Sequence, residues 1–195
     1  IPKGVSCVYI RQSEPLGLGH AVWCAKDLVG DEPFAVLLAD DLIDASEPCL
    51  KQMVDVYEAT QGSVVAVQPI EPEESKKYGV IDAAGRAFEG GYVKLDGIVE
   101  KPEPAKAPSH YGVVGRYVLS PKIFDLLEGA KTGAGGEIQL TDAIAGLLPV
   151  GVYARQFDGV RYDCGSKLGY LKATVNFALK HQECAAEFKH FLKTL

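Results

Sequence analysis

An α/β fold is what this sequence predicts: a sheet with helices on its faces and a β-rich antiparallel insertion. Two observations predict it. From residue 5 to residue 70, β-branched and apolar runs alternate with amphipathic stretches, and between residues 78 and 119 short strand-like runs are parted by Gly- and Pro-rich turns. Strand–helix alternation is the signature of parallel βαβ units, whose crossovers are right-handed and put helices over the sheet.

Taken in order, residues 5–11 (VSCVYIR) predict a strand. A Gly-containing turn follows, and residues 19–29 predict a helix burying Val22, Cys24, Leu28 and Val29. Residues 34–39 (FAVLLA) form a continuous apolar run, as expected of a strand covered on both faces. Residues 48–60 predict an amphipathic helix with Leu50, Met53, Val54, Val56 and Tyr57 inward, and residues 63–70 (SVVAVQPI) the next strand. Residues 78–82, 98–101 and 111–119 predict the short strands of the insertion, with Pro102, Pro104 and Pro108 marking an exposed loop. Residues 123–127 and 139–148 read as short helices, and 152–157 as a strand. Ser166 is placed to cap a long helix whose Leu168, Leu171, Val175 and Leu179 recur at steps of 3, 4 and 4. Residues 183–195 continue as helix or tail.

Composition narrows the function. The 195 residues suit one domain, and 47% hydrophobic with 24% charged residues is a globular balance. No apolar run approaches the ~18 residues a membrane span needs, and the first residues lack the basic and apolar regions of a signal peptide. Five cysteines without a C-x-x-C pair argue for a reducing compartment, so a cytoplasmic setting is expected. A net charge of −6 offers no basic field for nucleic acid, so a phosphate ligand must be held by local groups. Residue 1 is isoleucine, so translation is not expected to start there.

Four stretches could carry chemistry. Gly17-Leu18-Gly19-His20-Ala21 lies between a strand and a helix, where glycines let backbone N–H groups approach a ligand. The third glycine of a dinucleotide fingerprint is missing, and an ordinary glycine turn is the alternative. Leu37-Leu38-Ala39-Asp40-Asp41 puts carboxylates at a strand end, where open α/β sheets bind ligands and where Mg²⁺ is held together with substrate phosphates. The alternative is a turn or capping Asp. Val99-Glu100-Lys101-Pro102 could divide its work, with Glu accepting from sugar hydroxyls and Lys neutralising a phosphate, against the reading of a surface charge pair. Tyr162-Asp163-Cys164-Gly165-Ser166 offers a second metal carboxylate, or a helix cap. His181, Cys184 and His190 do not read as a metal site, since on one continuous helix residues 181 and 190 face opposite sides. No G-x-S-x-G accompanies His20, so a Ser-His-Asp hydrolase is not indicated.

The order GLGHAV, VLLAD, KYGVI, VEKP, VVGRYVLS, GEIQLTDAI and DCGSKLGY resembles the bacterial UTP–glucose-1-phosphate uridylyltransferases, over nearly the whole chain. Residues 136–144 and 163–170 are the most diagnostic stretches. The resemblance implies a Rossmann-like nucleotidyltransferase fold, with a mixed central sheet flanked by helices, as a single domain over residues 1–195. It implies UTP and glucose 1-phosphate as substrates, UDP-glucose as product and Mg²⁺ as cofactor. A homo-oligomer, with the C-terminal helices as its interface, is expected, and charge and the lack of a long apolar run leave neither nucleic acid nor membrane as an expected partner. By that resemblance Gln12, Gly19 and His20 lie near the uracil. Asp40 and Asp163 hold the metal, Gly79 and Glu100 contact glucose, Lys101 meets a phosphate, and Gly115 allows close approach to the sugar. Ala39 stands where a proline is common in the family. Members begin with a strand, G-x-G-T-R and a downstream P-x-T-K, and this sequence contains no such segment. The expectation is therefore a domain missing its N-terminal strand–loop–helix portion and catalytically impaired by itself. The competing expectations are a related dTTP-using enzyme, a metal-dependent glycosyltransferase, and a non-catalytic remnant that binds nucleotide-sugar.

Overall fold

The computed structural model describes residues 3–195; Ile1 and Pro2 lie outside it. The predicted first strand does not form. Residues 5–12 carry no ladder, and their β-branched and aromatic side chains stand in solvent, with Tyr9 92% exposed. Strand propensity needs a neighbouring backbone to act on, and among the described residues none pairs with this segment.

Two short helices follow, α1 (Leu18–Trp23) and α2 (Lys26–Val29), where one was expected. Next come β1 (Phe34–Leu37), β2 (Asp41–Asp44) and the helix α3 (Cys49–Thr60). β3 (Ser63–Pro69) is followed by β4 (Gly79–Asp82), β5 (Tyr92–Lys94) and β6 (Gly97–Glu100). β4 and β6 pair as the expected insertion, but β5 lies at the opposite edge of the sheet, and residues 111–119, expected with the insertion, form a central strand instead. The long β7 (Tyr111–Leu119) precedes α4 (Ile123–Leu127) and α5 (Leu140–Gly146). β8 (Val152–Gln156), β9 (Val160–Asp163), α6 (Lys167–Ala178) and α7 (Ala185–Leu192) complete the chain.

The sheet is mixed. Its order is β5-β8-β3-β7-β4-β6, with β1 sharing the β4 edge of β7. β1 lies against residues 116–119 and β4 meets Gly112, so one nine-residue strand serves three neighbours. The expected parallel units are thus corrected in part. β3 and β8 are parallel neighbours, but β1 and β3 run the same way with the antiparallel β7 between them. β1 is also not covered on both faces: its burial alternates and Leu37 is 52% exposed. The fully covered strand is β3, where Val64, Val65, Ala66 and Val67 are all inaccessible.

Period-two alternation sends β3 side chains to two cores. Val65 and Val67 join Tyr117, Leu119, Ile123, Phe124 and Ile144 on one face. Val64 and Ala66 join Val114, Val118 and the α3 residues Met53 and Val56 on the other. Each fully buried valine contributes about 1.5–3 kcal/mol. Burial also pushes the Cys49 thiol up to about 11, so it stays protonated in the α3 core.

The stripe expected to bury α6 is the clearest miss. Leu168 and Leu171 are 62% and 59% exposed, Val175 and Leu179 are partly exposed, and Ala173 alone is buried. α6 is held by its ends and by polar ties instead. Ser166 caps it by accepting from the Gly169 amide at 3.0 Å, and Asn176 and Lys180 both donate to Asp44. The chain turns between α6 and α7, so residues 181 and 190 do not share one helix. Among the described residues no helix is long and apolar enough to cross a membrane, and all five cysteines are free.

Candidate functional site

β2 and β9 form a two-stranded antiparallel ribbon, and the site is built where it meets the large sheet. A cavity of about 280 Å³ opens there. Five of the residues singled out from sequence line it: Asp40, Gly79, Glu100, Lys101 and Gly115. They come from four separate segments of chain, brought together by β7 lying beside both β1 and β4.

Asp40 is exposed at the entry to the ribbon, and its carbonyl accepts from the Cys164 amide at 2.7 Å. Asp163 does not line the cavity; its Oδ1 accepts from the Gly165 amide at 3.1 Å, close to Asp40. A Cβ on Gly165 would lie 3.1 Å from Asp163 Oδ1 and 3.2 Å from Asp40 Oδ2, so the two carboxylates flank one point. Among the described residues no three His, Cys, Asp or Glu side chains gather as a metal site. A pair of carboxylates is nevertheless the donor set that Mg²⁺ takes when phosphates complete its shell, so these residues fit such an ion.

Glu100 ends β6 and Lys101 follows it in a bend, with Lys101 Nζ 3.4 Å from Glu100 Oε1. Lys101 has φ 45°, a left-handed conformation that costs a non-glycine residue about 1–3 kcal/mol. The bend is held from both sides. The Lys101 amide donates to Tyr78 O at 3.0 Å, and the buried Ser75 hydroxyl donates to Pro102 O at 2.9 Å. Gly79 lies opposite Glu100 across the β4–β6 ladder, and a Cβ there would press Thr141 Oγ1 at 3.1 Å and Glu100 Oε2 at 3.3 Å. Gly115 is tighter still, since a Cβ would sit 2.4 Å from Asp41 Oδ2 and 2.6 Å from Leu38 Cβ.

Gln12, Gly19 and His20 form a separate cluster outside the cavity lining. Gln12 Nε2 donates to Gly17 O at 3.1 Å and lies 2.9 Å from His20 Nδ1. The Gly19 amide is already spent on Ile138 O at 2.9 Å, and the Ile138 amide donates to Leu16 O at 2.7 Å. A Cβ on Gly19 would strike Ile138 O at 2.7 Å. This glycine is therefore required by packing against the 136–140 segment, and its N–H does not point to open space.

Sequence reasoning included Asp41 in a strand-end stretch but did not foresee the buried polar network around it, with Arg161, Arg116, Tyr78 and Tyr117. Asp41 is 4% exposed, and both its oxygens are used: Oδ2 accepts from the Gly115 amide at 2.7 Å, and Oδ1 pairs with Arg161 Nε. Arg161 also donates from Nη1 to Tyr78 Oη at 3.0 Å, its guanidinium 5.4 Å from the ring centre. Burial opposes the Arg161 charge, but the bonds to Asp41 and Tyr78 outweigh it and hold the pKa above its ordinary value. Arg116 donates to Leu38 O at 2.9 Å and to Asp41 O, pinning the turn between β1 and β2. Tyr117 lines the cavity floor, where burial and then the Glu100 and Asp41 charges push its phenol far above the usual range. One signal was available: residues 161 and 163 share a strand face, so an arginine there belongs with Asp163.

A family model for nucleotidyl transferases matches residues 2–179. The UTP–glucose-1-phosphate uridylyltransferase of Bacillus subtilis (strain 168) is 48% identical over 188 residues, covering 96% of this chain and 64% of that protein. The chain thus spans about 64% of the length of the curated relatives it matches. A UTP-bound UDP-glucose pyrophosphorylase of Acinetobacter baumannii superposes over the whole chain and 68% of its own, with TM-score 0.88 and 44% identity. A UDP-glucose pyrophosphorylase in complex with UDP-glucose matches 89% of this chain and 66% of its own, with TM-score 0.83 and 44% identity.

Proposed function

Because the chain belongs to the nucleotidyl transferase family, grouped with the bacterial UTP–glucose-1-phosphate uridylyltransferases, we propose that its site serves the reaction of UTP with glucose 1-phosphate to give UDP-glucose and pyrophosphate. The observation that carries this reading is the convergence of Asp40, Gly79, Glu100, Lys101 and Gly115 on one cavity beside Asp163.

In that reaction a phosphate oxygen of glucose 1-phosphate attacks the α-phosphorus of UTP, and pyrophosphate leaves. The nucleophile is already an anion at neutral pH, so alignment and charge neutralisation are the chemistry required, with no strong base. Glu100, its side chain largely sheltered beside Gly79, accepts from glucose hydroxyls. Gly79 and Gly115 line the sugar's side of the cavity, Gly115 keeping room for the Asp41 carboxylate and Leu38 behind it. Lys101 offsets the charge of the sugar phosphate. Gln12 and His20, at the α1 turn, face the uracil, and Gly19 keeps that turn packed against Ile138. Asp40 and Asp163 would hold Mg²⁺, which supplies neutralisation of the nucleotide phosphates when bound.

Calorimetric titration of the 195-residue chain with UDP-glucose, with and without Mg²⁺, tests the reading. Saturable heat is expected, stronger with the ion, and Asp40→Asn should remove the difference. A chain that binds no UDP-glucose at millimolar concentration ends the proposal, and competition by dTTP over UTP would move it to a thymidylyltransferase. The proposal includes self-association, supported by the exposed apolar stripe of α6. A single monomeric species in sedimentation velocity would remove that part.

A further inference from the structure

The binding chemistry above leaves one element of the site unused, the ion pair between Asp41 and Arg161. Both side chains are sheltered, at 6% and 10% exposure. An ion pair so placed stabilises a fold no better than apolar side chains of the same volume, so its use lies in the geometry it imposes. That geometry is specific. Asp41 and Asp163 stand directly opposite each other in the β2–β9 ladder, with Arg161 on the diagonal of the same face. The guanidinium therefore neutralises the carboxylate that would otherwise face Asp163 across the ribbon.

Arg161 has a second bond, to another segment of the cavity lining. While Nε holds Asp41, Nη1 reaches Tyr78 Oη at 3.0 Å. Tyr78 precedes Gly79, and its carbonyl receives the Lys101 amide. One planar fork thus ties the ribbon bearing Asp163 to the wall bearing Gly79, Glu100 and Lys101. We propose that Arg161 is a positioning residue for the sugar half of this site, setting Tyr78 and the wall behind it at a fixed distance from the Asp40–Asp163 pair. The inference rests on the uridylyltransferase reading. It also requires arginine in particular: a lysine ammonium keeps the charge beside Asp41 but lacks the rigid fork that satisfies two partners at once.

The test is a comparison of UDP with UDP-glucose, which differ in the sugar and in the charge of the terminal phosphate, by calorimetry with Mg²⁺, each variant being read against the unaltered chain with the same pair. In the unaltered chain UDP-glucose is expected to bind more tightly than UDP. Arg161→Lys and Tyr78→Phe should each shrink that preference about tenfold while UDP affinity stays within about twofold, the effect of one charge-assisted bond. The double variant should lose no more than either single one, since both cut the same link. Tyr78→Phe keeps the ring and the buried ion pair, so it decides the matter if Arg161→Lys does not fold. A sugar preference that survives in Tyr78→Phe overturns the positioning role and leaves the uridylyltransferase reading intact. Parallel loss of UDP and UDP-glucose affinity also overturns it, because that is what general structural support would give. An unaltered chain that binds neither ligand overturns the functional reading and this inference with it.

Discussion

At the scale of single residues, two adjacent aspartates show how little sequence says about a side chain's task. Asp40 is exposed and borders Asp163, while Asp41 is buried, with Gly115 and Arg161 occupying its two oxygens. The split follows from where each stands: Asp40 is in the turn between β1 and β2, while Asp41 is the first residue of β2 and is held inward by the Gly115 amide and Arg161. Gly115 is the residue most constrained by this arrangement. Gly115→Ala would drive a methyl against Asp41 Oδ2 and Leu38 Cβ, so it should cost about 1–3 kcal/mol as overpacking and weaken UDP-glucose binding. Urea melts and titrations check both effects. Unchanged values in the two would mean that the turn between β1 and β2 yields freely.

At the scale of elements, the two long helices are held by different physics. α3 is a core helix, with Met53 fully inaccessible against β3 and β7. α6 keeps most of its apolar residues in solvent and depends on its cap and on Asp44. Met53→Ala should therefore cost about 2–5 kcal/mol, against about 1 kcal/mol for Ser166→Ala, the loss of one N-cap bond. Denaturant unfolding of the two variants gives the order directly. An equal or larger loss at Ser166 would show that the cap supports more than α6, through the bond its hydroxyl donates to Asp163 O.

At the scale of the whole molecule, stability is graded from the middle of the sheet outward. β3 is flanked by β7 and β8 and covered on both faces, whereas the β2–β9 ribbon is a two-stranded ladder with exposed Leu42 and Val160. Native-state hydrogen exchange should find β3 and β7 amides opening only with global unfolding, and ribbon amides well before. Bound UDP-glucose should slow the ribbon selectively. Ribbon amides as protected as those of β3 would contradict this grading. The site thus joins the most stable part of the fold to the least, through Asp41, Arg161 and Arg116.

By itself the sequence determined the mixed α/β class, the bounds of β7 and α4, and the stretches that meet at the cavity. Those features depend on local periodicity, turn chemistry and motif order, all written along the chain. Tertiary structure alone decided the rest. Whether residues 5–11 form a strand depends on a partner backbone, and whether Leu168 and Leu171 are buried depends on what packs over α6; neither condition is local. The antiparallel placement of β7 between β1 and β3, and the pairing of Asp41 with a residue 120 positions away, are long-range events. The sequence carries the residues for such contacts but not the register that brings them together.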